Sequence, residues 1–412
     1  MTACTPNSAT ETPSLRGAAW LRDSALQKVL TVLSEGGSAR VAGGAVRNAL
    51  MEHPVADIDI ATTHRPERVM ELAQAAGLSV HPTGLAHGTV TVVADGGETR
   101  KAFEVTTLRV DEETDGRHAR VAFTDDWQAD ARRRDFTINA LYCDAQGHVS
   151  DPVGGYPDII ARRVRFVGDP QARIREDYLR ILRFFRLHAR YGEGAPDPEG
   201  LAACAALKEG IARLSAERVR EELLKLLVTP GAASTLAVMR DAAILALVLP
   251  GEADLVRFSR MASIEARHQL APDALLRLAA LAPGIAGDAE RLRLSNAEQA
   301  RLRALQDGGA PSPAFREPER KVVLYQLGSQ TYGDAVRLAW ASSEDPGEAG
   351  SWLELLALPQ AWSPPPFPVT GDDLLARGMQ PGPEFGETLK RMEDWWIASG
   401  FAAGKTDLLA KL

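Results

Sequence analysis

The chain has 412 residues, is 45% apolar and 25% charged, and carries a formal net charge of −8. That length predicts two or more domains, and the composition is that of an ordinary soluble protein. The acidic balance excludes a general nucleic-acid coat but leaves room for a local basic footprint. No apolar run approaches the roughly 20 residues of a membrane span. Three scattered cysteines, Cys4, Cys143 and Cys204, suit a reducing cytosol and offer neither a disulfide framework nor a zinc set.

In chain order, residues 1–17 have neither the basic start nor the apolar core of a signal peptide, and a disordered tail is expected there. Leu21, Leu26, Val29, Leu30 and Leu33 then mark a helix. The stretch Arg40–Ala61 follows: a short apolar run, the Gly43-Gly44 turn, a helical segment with Arg47 and Asn48, and an alternating Asp57-Ile58-Asp59-Ile60 strand. Alternation puts Asp57 and Asp59 on one face. Paired carboxylates repel unless a cation lies between them, and paired glycines let backbone N–H groups approach an anion. A phosphate cradle beside a metal-binding pair points to nucleotidyl transfer.

Pro66 starts an amphipathic helix with Val69, Met70, Leu72 and Ala73, and the stretches His87–Val93 and Ala102–Thr107 are rich in β-branched residues, like strands. Glu104, on the second strand, is either a third carboxylate for the aspartate pair or an ordinary solvent-facing glutamate. Arg109–Arg134 is polar and mixed in charge, which predicts a long mobile loop. The turn-rich connector Asp151–Gly155 follows it.

From about Arg162 the strand signals fade and helices take over. Residues 161–190 hold nine arginines against Asp169, Glu176 and Asp177, a locally basic segment. Spacing of three puts Asp177, Arg180, Arg183 and Arg186 in one row. A carboxylate and a guanidinium side by side complement the amine donor and ring-nitrogen acceptor shared by cytosine and adenine, and mismatch uracil and guanine. An intrahelical Asp177–Arg180 salt bridge is the competing reading. Ser215 precedes an amphipathic helix as a candidate N-cap, and Ala/Leu-rich helices continue to about Leu358 with no His cluster of the metal-ligand kind. Pro359–Pro368 reads as a stiff linker before two capped helices. No internal repeat is visible.

Several of these stretches occur together in one family. Gly43-Gly44-Ala45-Val46-Arg47 with Asp57-Ile58-Asp59, His87-Gly88-Thr89-Val90, Glu104–Arg109, Asp115-Gly116-Arg117-His118, Arg133–Ala140, Asp151–Gly155 and Glu176–Arg183 stand here in order. The chain thereby resembles the class II CCA-adding tRNA nucleotidyltransferases, relatives of bacterial poly(A) polymerases. Each motif alone is weak; seven in order are specific. The resemblance is dense over about 38–230 and returns at Val369–Asp373 and Pro381–Pro383.

The resemblance implies an α+β protein, with an N-terminal mixed-sheet head followed by an all-α neck, body and tail. The divisions expected are 1–17 tail, 18–145 head, 146–228 neck, 229–358 body, and 359–412 linker and tail. It implies CCA addition to tRNA from CTP and ATP without a template, with magnesium on Asp57 and Asp59 and with Glu104 as third acid. Gly43, Gly44 and Arg47 would meet the triphosphate and Arg134 the incoming nucleotide, with Asp135 and Asn139 near the ribose. Asp177 and Arg180, helped by Arg183 and Arg186, would read the base. The segment Arg109–Arg120 would be the flexible element of the C-to-A switch. One departure is Asn48, where the common motif has Asp; an amide can still bond to the backbone or to Arg47. A poly(A) polymerase, an enzyme adding only CC or only A, and a non-catalytic RNA-binding protein are the alternatives. A cytoplasmic location and no stable protein partner are expected.

Overall fold

The computed structural model describes residues 13–96, 100–115, 118–307, 309–343 and 349–412. They divide into two compact units, 1–248 and 249–412.

The first unit carries a seven-stranded mixed sheet. Its strands are β1 (Ala39–Ala42), β2 (Asp59–Thr62), β3 (Ser79–Gly84), β4 (Thr89–Asp95), β5 (Arg100–Thr107), β8 (Tyr142–Cys143) and β9 (Val149–Ser150), in the order β3-β4-β5-β2-β1-β8-β9. β2 and β5 run parallel, with Asp59 opposite Glu104, and the other neighbours are antiparallel. In β4, Val90, Val92 and Ala94 alternate inward, as a half-buried strand requires. The predicted strand start at His87 is displaced, because Leu85–His87 forms a 3-10 turn and the strand begins at Thr89.

Helix α1 (Ser24–Val32) buries Leu26, Val29 and Leu30, and Asp23 caps it by accepting from the N–H groups of Ala25 and Leu26 at 3.1 Å. Helix α2 (Gly44–Leu50) follows β1 directly, and α3 (Pro66–Ala75) starts on Pro66 as predicted. Beyond β5, α4 (Trp127–Arg132), α5 (Tyr156–Ile160), α6 (Pro170–Glu176) and α7 (Leu179–Tyr191) lead out of the sheet. α8 (Pro198–Leu207), α9 (Ala216–Leu227), α10 (Ala232–Asp241) and α11 (Leu245–Val248) complete the unit. A run of phenylalanines ties α7 to the segment after α4. Phe136 and Phe166 lie 4.7 Å apart by ring centroids, Phe166 stacks on Phe184 at 5.5 Å, and Phe184 meets Phe185 edge-on at 5.3 Å. Rings packed at such separations contribute beyond their buried area, so the arginine-bearing helix has a rigid seat.

The second unit is helical. Trp340 and Trp352 stack at 6.0 Å in a cluster with Leu324, Tyr332, Val336 and Leu355, while Val369, Leu374, Met392, Trp396 and Leu408 form another. Thr370 and Asp373 make a reciprocal cap for the helix Gly371–Ala376. Among the described residues no helix is long and apolar enough to cross a membrane.

Four local expectations are corrected. The Arg109–Arg134 loop is instead a hairpin, β6 (Arg109–Asp115) with β7 (His118–Phe123), followed by α4. Its register closes at Asp115↔His118. Gly116 and Arg117 lie outside the described residues. Of the expected tail, residues 1–12 also lie outside them, but Leu15 donates its N–H to Gly147 O at 2.7 Å and is buried. The head sheet continues past 145 through β9, whose two residues are too short to show a period. The helix Ala349–Ala361 runs through Pro359; buried Trp352 and Leu355 offset the hydrogen bond that a proline removes.

Gly155 makes the tightest demand in the Asp151–Gly155 turn, since a Cβ there would stand 2.1 Å from the Thr137 carbonyl oxygen. Gly155→Ala is expected to cost about 1–3 kcal/mol, measured by urea unfolding. An unchanged midpoint would show that the turn has slack.

Candidate active site

Asp57, Asp59 and Glu104 line one open cavity of about 960 Å3, which also touches Trp20, Arg22 and Lys101. Only Asp59 of the aspartate pair lies within the strand; Asp57 and Ile58 precede β2. The parallel register brings Glu104 beside Asp59 from the next strand, so the third carboxylate joins the pair. Loss of surrounding water pushes the Asp59 carboxyl above its ordinary range, and the negative charges of Glu104 and Asp57 push it further, against the pull of Arg134. Like charges gathered in this way favour a cation among them. Among the described residues no three His, Cys, Asp or Glu side chains form a ready metal cage.

The Gly43-Gly44 turn stands next to two guanidinium groups. Gly43 has φ 67°, and a Cβ on it would meet Arg134 Nη1 at 3.1 Å; one on Gly44 would meet Arg47 Nη2 at 3.5 Å. Arg134 is held by Asp130 (Nη2 to Oδ2, 3.2 Å) and by the Tyr142 hydroxyl (Nε to O, 3.2 Å). Asp130 is 1% exposed and also receives the Tyr142 O–H at 2.6 Å and Arg133 Nε at 2.8 Å. Burial would raise its carboxyl, but the two arginines and Tyr142 bring it below the ordinary range.

Arg47 is buried and points toward α7. Its Nη1 donates to Asn139 Oδ1, and its Nη2 donates to Tyr191 OH and to Asn48 Oδ1, both at 2.8 Å. Asn48 Oδ1 also accepts from Arg47 Nε at 3.2 Å and from the Tyr191 hydroxyl at 3.0 Å, while Asn48 Nδ2 donates to Pro54 O at 3.0 Å. The neutral amide thus bonds both to Arg47 and to the backbone. Asn139 Nδ2 passes the chain on to Asp135 Oδ1 at 3.0 Å, and Asp135 Oδ2 accepts from Arg183 Nε at 2.8 Å. Burial alone would raise the Asp135 carboxyl; the Arg183 charge and the Asn139 bond overcome this and hold it at about 2.

The side chains of Asp177 and Arg180 are not paired with each other, although the Arg180 N–H donates to Asp177 O at 3.0 Å. Asp177 lies just ahead of α7 in extended backbone, not on one helix row with Arg180, and its Oδ2 accepts from Arg218 on α9 at 2.6 Å. Arg180 Nη1 donates to Glu176 Oε2 at 2.6 Å and to Arg173 O at 2.8 Å. Both the helix row beginning at Asp177 and the intrahelical salt bridge are corrected. Arg186 Nε donates to Glu222 Oε2 at 2.5 Å, and Arg183 comes within 3.8 Å of Glu222.

The sequence reading passed over Asp130, Tyr142, Tyr191, Arg218 and Glu222. A signal existed for Glu222, because it falls on the apolar face of α9 with Val219, Leu223 and Leu226, where an unpaired charge would be costly. Ser215 does precede α9, but its side chain makes no capping bond.

Comparison with known proteins bears on this site. The family described as "Poly A polymerase head domain" matches residues 39–165, and "Probable RNA and SrmB- binding site of polymerase A" matches 195–255. The human protein "CCA tRNA nucleotidyltransferase 1, mitochondrial" is 36% identical over 404 residues, covering 93% of this chain and 88% of that protein. The chain belongs to the CCA-adding tRNA nucleotidyltransferases. The Geobacillus stearothermophilus "CCA-adding enzyme" is 31% identical, over 86% of this chain and 74% of its own length. Among solved structures, a Bacillus stearothermophilus CCA-adding enzyme in complex with CTP superposes with a TM-score of 0.72 at 27% identity, covering 91% of this chain and 92% of that one. The α+β fold with a helical C-terminal part is that of the CCA-adding enzymes. Membership makes the chain a nucleotidyltransferase of tRNA and brings with it the use of a divalent metal.

Asp135 sets a pH dependence. Its folded-state pKa lies below the unfolded value, so its stabilisation is present above the ordinary carboxylate range and is lost as pH falls toward 2. Asp135→Asn is expected to cost about 2 kcal/mol at neutral pH, and the gap to the parent should narrow in acid. Melting curves across pH check this; a gap that widens in acid would reverse the assignment.

Proposed function

We propose that the chain builds CCA on tRNA from CTP and ATP by two-metal nucleotidyl transfer, with magnesium as the ion. The observation that carries the reading is the meeting of Asp59, Asp57 and Glu104 on one cavity, with Arg134 close enough to oppose their charge. Asp57 and Asp59 are the metal ligands in this account. The ions, when bound, lower the acceptor hydroxyl's pKa and stabilise the leaving pyrophosphate.

The protein groups do the positioning. The Gly43-Gly44 turn leaves room for phosphate oxygens, and Arg134 and Arg47 face it with positive charge. Arg134 is held rigid by Asp130 and Tyr142, so little reorganisation is needed when the nucleotide arrives. Asp135 and Asn139 lie at the ribose. Asp177 accepts from the exocyclic amine of cytosine or adenine while Arg180 donates to the ring nitrogen. The incoming base edge takes the places that Arg218 and Glu176 hold now, and Arg183 and Arg186 steady the helix behind it. Glu104 serves as a further metal ligand or as the base for the acceptor hydroxyl. A reducing compartment such as the cytosol is the proposed location; Cys143 and Cys204 are both free and buried.

Purified protein with magnesium, CTP and ATP should restore CCA to tRNA that lacks it, and sequencing the extended ends reads the result. Homopolymeric A tails, or a halt after CC, would defeat the full-CCA reading. Asp57→Ala and Asp59→Ala should each lower transfer by at least about 1000-fold. Retained activity would remove the metal assignment. Asp177→Ala or Arg180→Ala should admit UTP or GTP while triphosphate binding persists; unchanged selection in both would leave that pair a structural role only.

A further inference from the structure

Every bond described for the buried Arg47 guanidinium ends on a neutral group. Asn139 and Asn48 are two of its holders; the third, Tyr191, comes from the last position of α7. Tyr191 is 5% exposed and meets Arg47 twice. Its hydroxyl accepts from Nη2 at 2.8 Å, and its ring centroid lies 4.1 Å from the guanidinium carbon, a cation–π contact. His53 packs edge-on against the same ring, with centroids 5.4 Å apart. The hydroxyl has no hydrogen-bonding capacity left. Arg190 Nε also donates to it at 3.1 Å. Guanidinium groups only donate, so the hydroxyl's own proton goes to Asn48 Oδ1, 3.0 Å away. Asn48 is turned the one way that permits this, since its Nδ2 donates to Pro54 O.

Resting on the proposed nucleotidyl-transfer reading, we infer that Tyr191 is a positioning residue for the incoming triphosphate. Its hydroxyl and ring fix Arg47 beside the Gly43-Gly44 turn, doing what a bonded carboxylate would otherwise do. The guanidinium is a rigid plane of N–H donors. Nη1 goes to Asn139, while Nε and Nη2 go to Asn48 and Tyr191, so the plane is held on three sides. It is held close to the turn, since a Cβ on Gly44 would meet Nη2 at 3.5 Å. A carboxylate at position 48 would hold Arg47 by charge, yet it would offset charge that a phosphate is to meet. An amide alone is the weaker holder, because hydrogen bonds between a charged donor and a neutral acceptor gain less than those between two charges. The Tyr191 hydroxyl supplies a second acceptor and takes no charge away. Tyr191 touches neither nucleotide nor metal in this account; it acts through Arg47. A guanidinium already fixed needs little reorganisation when the anion arrives.

The test uses the full chain with magnesium, CTP and tRNA lacking CCA. Tyr191→Phe keeps the ring and removes only the hydroxyl. It is expected to raise KM for CTP about tenfold, the effect of losing a hydrogen bond to a charged group. The kcat and the KM for tRNA should stay within about twofold, since the lost interaction serves nucleotide binding alone. Asn48→Asp should stay within about threefold of the parent, because a carboxylate holds the guanidinium by itself. In that background Tyr191→Phe should add less than about twofold, the mark of two residues sharing one task. A KM for CTP unchanged by Tyr191→Phe, a loss that falls on kcat or on tRNA, or the same loss in the Asn48→Asp background would each overturn the assignment. A parent enzyme that extends no tRNA would instead defeat the nucleotidyl-transfer reading, so the two failures are separable.

Discussion

Arg183 reaches from α7 to Asp135 in the segment after α4, and through that ion pair the Gly43-Gly44 turn and α7 share one hydrogen-bonded chain. From Asp135 the bonds run to Asn139, on to Arg47 beside the glycine turn, and from Arg47 to Asn48 and Tyr191. On the other side Arg183 and Arg186 converge on Glu222 of α9. Removing the Asp135 charge leaves Arg183 uncompensated, at the cost of about 2 kcal/mol that the lowered Asp135 carboxyl implies. Asp135 is therefore a constraint on the geometry of this chain of bonds. The phenylalanine stack from Phe136 to Phe185 fixes the same helix from its apolar side.

Charge is sorted around this frame. Acids collect where Asp57, Asp59 and Glu104 meet, and arginines collect around the glycine turn and along α7. In the protein alone most of those arginines have internal partners: Arg134 has Asp130, Arg180 has Glu176, Arg186 has Glu222. Arg47 differs, since its described bonds go to neutral groups, Asn48, Asn139 and Tyr191, with Asp135 as a more distant charge. A guanidinium held by neutral acceptors keeps its charge for an anionic ligand. With Asn at position 48 that charge is preserved, where an aspartate would offset it.

Much of the head could be read from the chain. Pro66 at a helix start and the β-branched runs 89–93 and 102–107 are local signals, and the structure follows them. The pairing of Asp59 with Glu104 was legible only as a possibility, because a strand pattern gives faces but not neighbours. The hairpin of β6 and β7 was hidden by its polar composition. The segment from Asp177 to Arg186 shows the limit of periodicity. Spacing of three put Asp177 in a helical row, yet the chain is extended at Asp177 and α7 starts two residues later. The partners that then decide the geometry, Arg218 and Glu222, come from a helix about forty residues away and carry no local signature beyond a charge on an apolar face.

The account stands on Asp135 and Arg183 acting as one unit that aligns the two halves of the site. A double-mutant cycle on CTP affinity, using Asp135→Asn, Arg183→Gln and the pair together, tests this most directly. The prediction is a coupling of about 1–3 kcal/mol, with the double variant little worse than the weaker-binding single one. Losses that add within about 0.5 kcal/mol would show that the two residues act independently and would contradict the account.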